Sequence, residues 1–217
     1  MSAGFGPAEF QARTNVSRET LDRLKAFAAL LAEWQARMNL LASGEVGELW
    51  WRHMFDSAQL VPVAPENAAR WADLGSGAGF PGLVVAVMLS GRPGMHMSLV
   101  ESNARKAAFL RESVRITGAP ASVLNARAEE LAPLQAEIVT ARALSPLPEL
   151  LEIFERHCAP GGIGLFLKGK DAARELTQAR KAWTFAVDLL PSQTDPGGTI
   201  LRLSSARRTA GNGHPSG

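Results

Sequence analysis

The apolar positions of the chain change their period near residue 70. Before it they recur at helical spacing: Leu21, Leu24, Phe27, Leu31, Trp34 and Met38 fall on one face of a helix of about five turns. Ser17 is its expected N-cap, with Glu19 and Asp22 in the first turn. After Ser43-Gly44 a second helix carries Val46, Leu49, Trp50, His53, Met54, Ser57 and Leu60 before Pro62 and Pro65 end it. From Arg70 the rhythm becomes short β-rich runs alternating with helices. Strands are predicted at 70–74, 96–101, 121–125, 136–141, 162–168, 183–189 and 199–203, and helices at 80–90, 103–117, 147–158 and 170–181. This alternation predicts an α/β fold built on a doubly wound, mostly parallel sheet. The last two runs leave no room for a helix across 191–198, so they are expected to pair antiparallel. The chain then divides into a flexible arm at 1–16, a helical cap at 17–66, an α/β domain at 67–206 and a polar, disordered tail at 207–217.

Within that pattern the stretch from Arg70 to Gly82, RWADLGSGAGFPG, reads as a strand, a glycine loop and a helix start. Glycines there let a ligand lie directly against main-chain N–H groups. Gly77, Gly79 and Gly82 match the dinucleotide fingerprint G-x-G-x-x-G. Gly75, Gly77 and Gly79, with Asp73 two positions before them, match instead the loop of S-adenosylmethionine (SAM) methyltransferases. A carboxylate at 73 suits the ammonium and sulfonium end of that cofactor and would repel a pyrophosphate. A seven-strand sheet closing in a hairpin also fits the methyltransferase architecture better.

Ligands of open parallel sheets bind beyond the carboxyl ends of the strands. The second strand ends at Glu101, whose carboxylate is placed to accept from both ribose hydroxyls or, alternatively, to cap the next helix. The third runs into Arg127, Ala128 and Glu129, where main-chain groups could read an adenine edge, or where a solvated helix simply begins. Arg142 and Lys168 each follow a central strand, which points to anion binding, with ordinary salt bridges as the alternative. Arg105, Lys106, Arg111 and Arg115 form a basic helix face, solvated or turned to phosphates. His53, Asp56 and Ser57 share a helical face; one helix cannot supply both a bridging histidine and an oxyanion hole, so they are assigned to packing and cap orientation. Trp50-Trp51 could stack on a base or divide between core and domain seam.

Composition narrows the classes. With 46% apolar and 20% charged residues the chain is an ordinary globular protein. One cysteine, Cys158, excludes an internal disulfide, and four scattered histidines spell no zinc site, so a reducing cytoplasm and no metal are expected. The start MSAGFGPAEFQAR has no secretory pattern, and no apolar run reaches the ~20 residues of a membrane span. A net charge of +2 does not announce a nucleic-acid partner; an RNA would have to be held by local patches or by its shape.

Across about residues 20–205 the sequence resembles the ribosomal RNA small subunit methyltransferase G family, also called glucose-inhibited division protein B. The motifs that carry the resemblance are Asn39-Leu40, the run Arg52-His53-Met54-Phe55-Asp56-Ser57, the run from Asp73 to Gly82, Arg127-Ala128-Glu129, Ala141-Arg142-Ala143 and Leu167-Lys168-Gly169. Ala58-Gln59 departs from the leucine that the family usually carries after Asp-Ser. The resemblance implies a Rossmann-like class I SAM-dependent methyltransferase fold and methylation of N7 of one guanosine in 16S rRNA, within the small ribosomal subunit; a monomer is expected. It implies that Gly75, Phe80, Ala128, Glu129 and Arg142 bind SAM and that Arg127 and Lys168 serve the RNA side. Asp73, Gly77, Gly79 and Glu101 join the cofactor set from the loop reading. Guanine N7 carries a lone pair and no proton, so methyl transfer needs no general base, and catalysis rests on alignment and water exclusion. On this reading Arg142 pairs with the cofactor carboxylate while Lys168 and Arg127 grip RNA. The rivals are a small-molecule methyltransferase with the cap as a lid, a nicotinamide oxidoreductase, and a binding module without activity.

Overall fold

A computed structural model describes residues 4–42 and 46–209. The predicted strands are β1 (Arg70–Leu74), β2 (His96–Val100), β3 (Ala121–Leu124), β4 (Ala136–Arg142), β5 (Cys158–Lys168), β6 (Trp183–Pro191) and β7 (Thr199–Arg208). They form one sheet in the order β3-β2-β1-β4-β5-β7-β6. The pairs among β1 to β5 are parallel, and β7 runs antiparallel to both β5 and β6. The crossovers are α4 (Gly82–Met88), α5 (Ala104–Thr117), α6 (Leu147–His157) and α7 (Ala172–Ala179).

Strand alternation divides the core between the two sheet faces. Trp71 of β1 packs with α4, α5 and the cap, whereas Ala72 and Leu74 pack with Leu150, Leu151 and Phe154 of α6. Register then sets the position of the loops. Leu74 lies opposite Val100 and Ala141, Val100 opposite Leu124, and Ala141 opposite Phe166. The next residues, Gly75, Glu101, Asn125, Arg142 and Leu167, therefore leave the sheet along one edge.

The cap contains α2 (Arg18–Gln35), capped by Ser17 accepting from the Thr20 N–H at 3.0 Å. Its second helix is wound as a π-helix, Leu49–Phe55, that runs into α3 (Asp56–Ala58). The expected flexible arm at 1–16 is corrected over residues 7–14, which form α1 (Pro7–Thr14). Its polar sequence hides one anchor: Phe10 is fully buried and meets Trp50 edge-on at 5.5 Å. Phe5 does the same to Trp51 at 4.8 Å, and Arg13 lies over the Trp51 ring. The tryptophan pair is thus used in packing rather than presented as a base-stacking platform. At the other end Arg207 and Arg208, expected in the tail, continue β7, with Arg208 ion-paired to Glu152. The first residues of the arm, Ser43 and Gly44, and the tail from residue 210 lie outside the described residues.

Candidate functional site

Above the strand ends the sheet opens into a cleft of about 660 Å3, bordered by the glycine loop, the cap, the β4 and β5 ends and the β6–β7 loop. Gly75 takes φ +69°, a left-handed conformation, and a Cβ there would stand 2.6 Å from Leu144 Cδ1. The loop is tied back to the sheet where Ser76 N–H donates to the Val100 carbonyl at 2.9 Å. Gly82, opening α4, faces a different limit: a Cβ would fall 2.5 Å from Asp73 Cβ.

That contact locates Asp73, and it departs from the expected ligand-facing role. The side chain is fully buried behind the loop, accepting from Thr140 Oγ1 at 2.7 Å and from the Gly82 N–H at 3.2 Å. Burial pushes its pKa up to about 6, against hydrogen bonds from Thr140, Ser76 and Gly82 that pull it down. Because successive side chains of a strand alternate faces, Asp73 points at α4 and braces the turn. It does not border the cleft.

Glu101 is placed beside the loop, and both of its carboxylate oxygens hold main-chain N–H groups, one of them at the start of the next helix as the capping alternative expects. Oε1 accepts the Asn103 N–H at 2.7 Å at the start of α5, and Oε2 accepts the Gly77 N–H at 2.9 Å. Each oxygen keeps further acceptor capacity for a diol. Asn125 bridges β3 to this point, donating to the Glu101 carbonyl at 2.9 Å. The following turn, Ala128–Glu130, is held from behind by His157, whose Nε2–H donates to the Ala128 carbonyl at 2.8 Å while Nδ1 accepts from Leu134 N–H at 3.3 Å. Burial, with the Arg156 charge, lowers the pKa of His157 against the pull of the Ala128 carbonyl and of Glu129. Ala128 is buried, and Glu129 reaches Arg127 at 3.4 Å on the surface.

The cations separate. Arg142 borders the cleft together with Gly75, Gly77 and Phe80, its guanidinium 5.4 Å from the Phe80 ring centroid and 2.7 Å from His53 Nδ1. Lys168 also borders the cleft, but its ammonium is nearly buried, 2.8 Å from Glu175 and 2.7 Å from the Ser145 carbonyl it donates to. Arg127 is largely exposed and lies outside the cleft wall, so the two residues expected to grip one RNA do not share a surface pocket. Lys106, read as one of a solvated row, lines the cleft.

Sequence reasoning missed Glu175 and the β6–β7 loop. Glu175 is one acid on an amphipathic helix, and nothing local marks it as the partner of Lys168. Thr194 and Asp195 of that loop line the cleft, and the loop is anchored to the cap: Trp51 Nε1–H donates to the Thr194 carbonyl at 3.1 Å, and Gln59 Oε1 accepts the Gln193 N–H at 2.7 Å. The departure at Gln59 thus has a structural use. Cys158 lies away from the cleft, its thiol pushed up to about 11 by burial, which leaves it a poor nucleophile. Among the described residues no group of histidine, cysteine or acidic side chains could hold a metal, and no helix is long and apolar enough to cross a membrane.

A glycine loop turned through left-handed residues, a carboxylate at the end of β2 and an arginine at the end of β4 form a set suited to a cofactor bearing both a diol and a carboxylate. Comparison with known proteins gives the family and the fold. A family model described as rRNA small subunit methyltransferase G matches residues 20–193. The chain is 51% identical over 207 residues to the ribosomal RNA small subunit methyltransferase G of Parvibaculum lavamentivorans, covering 94% of this chain and 92% of that one. It is 53% identical over 204 residues to the protein of the same name from Paramagnetospirillum magneticum, covering 94% and 98%. Among solved structures it is similar to a TehB-like SAM-dependent methyltransferase from Corynebacterium glutamicum, with TM-score 0.56, 10% identity and 83% and 99% of the two chains covered. It is similar also to M. jannaschii TYW2 in complex with AdoMet, with TM-score 0.56, 11% identity and 80% of each chain covered. At such low identity these two establish the fold alone: a Rossmann-like SAM-dependent methyltransferase fold.

Proposed function

The chain belongs to the rRNA small subunit methyltransferase G family, and from that premise we propose that it transfers a methyl group from SAM to N7 of a guanosine in 16S rRNA of the small ribosomal subunit. When bound, SAM supplies an electrophilic methyl on its sulfonium. The glycine loop would border its amino-acid end, Glu101 would accept from its ribose through the lone pairs left over from the Gly77 and Asn103 N–H groups, and Arg142 would pair with its carboxylate. The turn at Ala128 and Glu129, reached from Glu101 through Asn125, would hold the adenine.

The observation that carries the N7 assignment is how the acids of the cleft are committed. Asp56 accepts from Thr194 and Gln59, Glu175 from Lys168 and the Leu147 N–H, and Asp195 from the Gly197 N–H. His53 is an acceptor toward Arg142, and burial with the Arg142 and Arg52 charges lowers its pKa to about 3. A cleft with no poised base among its described residues is suited to an atom that attacks with a lone pair and no proton. The cations must then avoid N7 itself, since a donor there would occupy the attacking lone pair, and are used on O6, phosphates or the cofactor carboxylate.

Labelled SAM incubated with naked 16S rRNA, with small subunits from cells lacking this protein, and with transfer RNA tests the substrate class. Label in 16S rRNA and not in transfer RNA is expected. SAM binding with no labelled RNA in any arm would replace this reading with a small-molecule methyltransferase.

A further inference from the structure

Arg142 stands at the end of β4, yet what orients it comes from the cap. Its Nη2 donates to His53 Nδ1 at 2.7 Å, and its Nη1 donates to the Arg52 carbonyl at 3.2 Å and lies 3.8 Å from Asp56 Oδ2. Phe80 forms a floor: the guanidinium carbon is 5.4 Å and the His53 ring 5.0 Å from its centroid. His53 and Phe80 are both 3% exposed, so neither has room to rotate away. The two oxygens of Asp56 divide their partners. Oδ2 faces Arg142, while Oδ1 accepts Thr194 Oγ1 at 2.5 Å and Gln59 Nε2 at 3.2 Å.

We propose that His53 and Asp56 are positioning residues: together they lock the plane of the Arg142 guanidinium against Phe80 so that it meets the cofactor carboxylate, and Asp56 links that lock to the β6–β7 loop. The proposal rests on the reading of Arg142 as the partner of that carboxylate.

The choice of side chains follows from the charge requirement. A donor fork needs an acceptor to fix its plane, and a carboxylate in direct contact would neutralise the charge that must attract the ligand. A neutral imidazole accepts through Nδ1 and leaves the charge intact. The carboxylate that is present stands farther off, 3.8 Å through Oδ2, and its other oxygen is occupied by the hydroxyl of Thr194. Simple packing would ask only for a ring of similar size at 53, not for an acceptor aimed at a cation. The link through Thr194 also places the cap, the cofactor side and the loop opposite in one hydrogen-bonded chain.

Calorimetric SAM affinity of the full chain tests this with Arg142→Ala, His53→Ala, His53→Asn and the double variant His53→Ala/Arg142→Ala, each checked for an unchanged melting profile. Arg142→Ala is expected to weaken SAM by more than about tenfold, the loss of a charge-assisted contact. His53→Ala is expected to weaken it by about five- to thirtyfold, with a raised KM for SAM and kcat at saturating SAM within about threefold. His53→Asn, whose amide oxygen reaches the Nδ1 position, is expected to restore affinity to within about threefold of the parent, and the double variant to bind no more weakly than Arg142→Ala alone. Should His53→Ala fail to fold, the Asn variant in the Arg142→Ala background decides by the same coupling. If Arg142→Ala weakens SAM but His53→Ala does not, or if the two losses multiply, the positioning role is overturned and the Arg142 assignment stands. Unchanged affinity in Arg142→Ala overturns both.

Discussion

Asp73 ionises where no water reaches it, and that fixes how the fold responds to pH. Its pKa in the folded chain, about 6, is above the ordinary value of 3.8, so the fold favours the protonated form. Its stabilising contribution is fully present below about pH 4 and lost as pH rises through about 6, an effect on the order of 2–3 kcal/mol. Asp73→Asn should remove that slope from denaturant-unfolding free energies measured between pH 4 and 7; an unaltered slope would show that Asp73 is ionised throughout. His53 acts in the opposite sense. Burial and the Arg142 and Arg52 charges depress it to about 3, with Asp56 the acid of the cluster, so its contribution is complete above about pH 6.5 and is lost as pH falls toward 3. His53→Asn should flatten that acid limb alone. A third expectation concerns Gly82, where a Cβ would meet Asp73 and Leu99 at 2.5–2.6 Å. Gly82→Ala should cost about 1–3 kcal/mol of unfolding free energy by overpacking, whereas the same change at Gly91, which faces open space, should be nearly neutral.

At the scale of elements, the period of the apolar residues was enough to place β1 to β7 and the crossover helices, because central strands and amphipathic helices bury patterns that the sequence displays. Ends were harder: β5 begins at Cys158 instead of 162, where Cys158 pairs with Ala136 of β4, and β7 runs to Arg208, since pairing with the edge strand β6 holds residues whose side chains look solvated. The arm failed for a related reason. α1 is held by Phe10 and the Trp50 and Trp51 rings, contacts between segments about forty residues apart that no local pattern contains. Phe10→Ala should release it, seen as faster tryptic cleavage after Arg13 and a red-shifted tryptophan emission, with the β-sheet unfolding transition preserved. Gly75, Gly77, Phe80, Arg142 and Lys168 of the cleft wall were readable because parallel strands deliver their ends to one edge, whereas Gly79, Glu101, Arg127, Ala128 and Glu129 lie outside that wall. The inward turn of Asp73 was not readable, because a motif records spacing and not which face of the strand a side chain takes. Nor was Glu175, which meets Lys168 only after α7 docks.

At the scale of the whole molecule, the cap, the glycine loop and the β6–β7 loop enclose a cleft whose cations are mostly committed to protein partners, on a chain with a net charge of only +2. Such a surface is suited to a substrate recognised by shape, which supports intact small subunits over naked RNA. Lys168→Met and Arg127→Ala should each lower the salt slope of RNA binding by about one unit if each meets a phosphate; a slope unchanged in one of them removes that residue from the RNA side. The measurement that most directly tests the central claim is the position of the methyl group itself. 16S rRNA labelled by the enzyme is reduced and cleaved with aniline, which cuts at N7-methylguanine. One cut, carrying all the label at a single guanosine, is the predicted result. Labelled 16S rRNA that resists cleavage would mean that the methyl sits on another atom, contradicting a site built without a base.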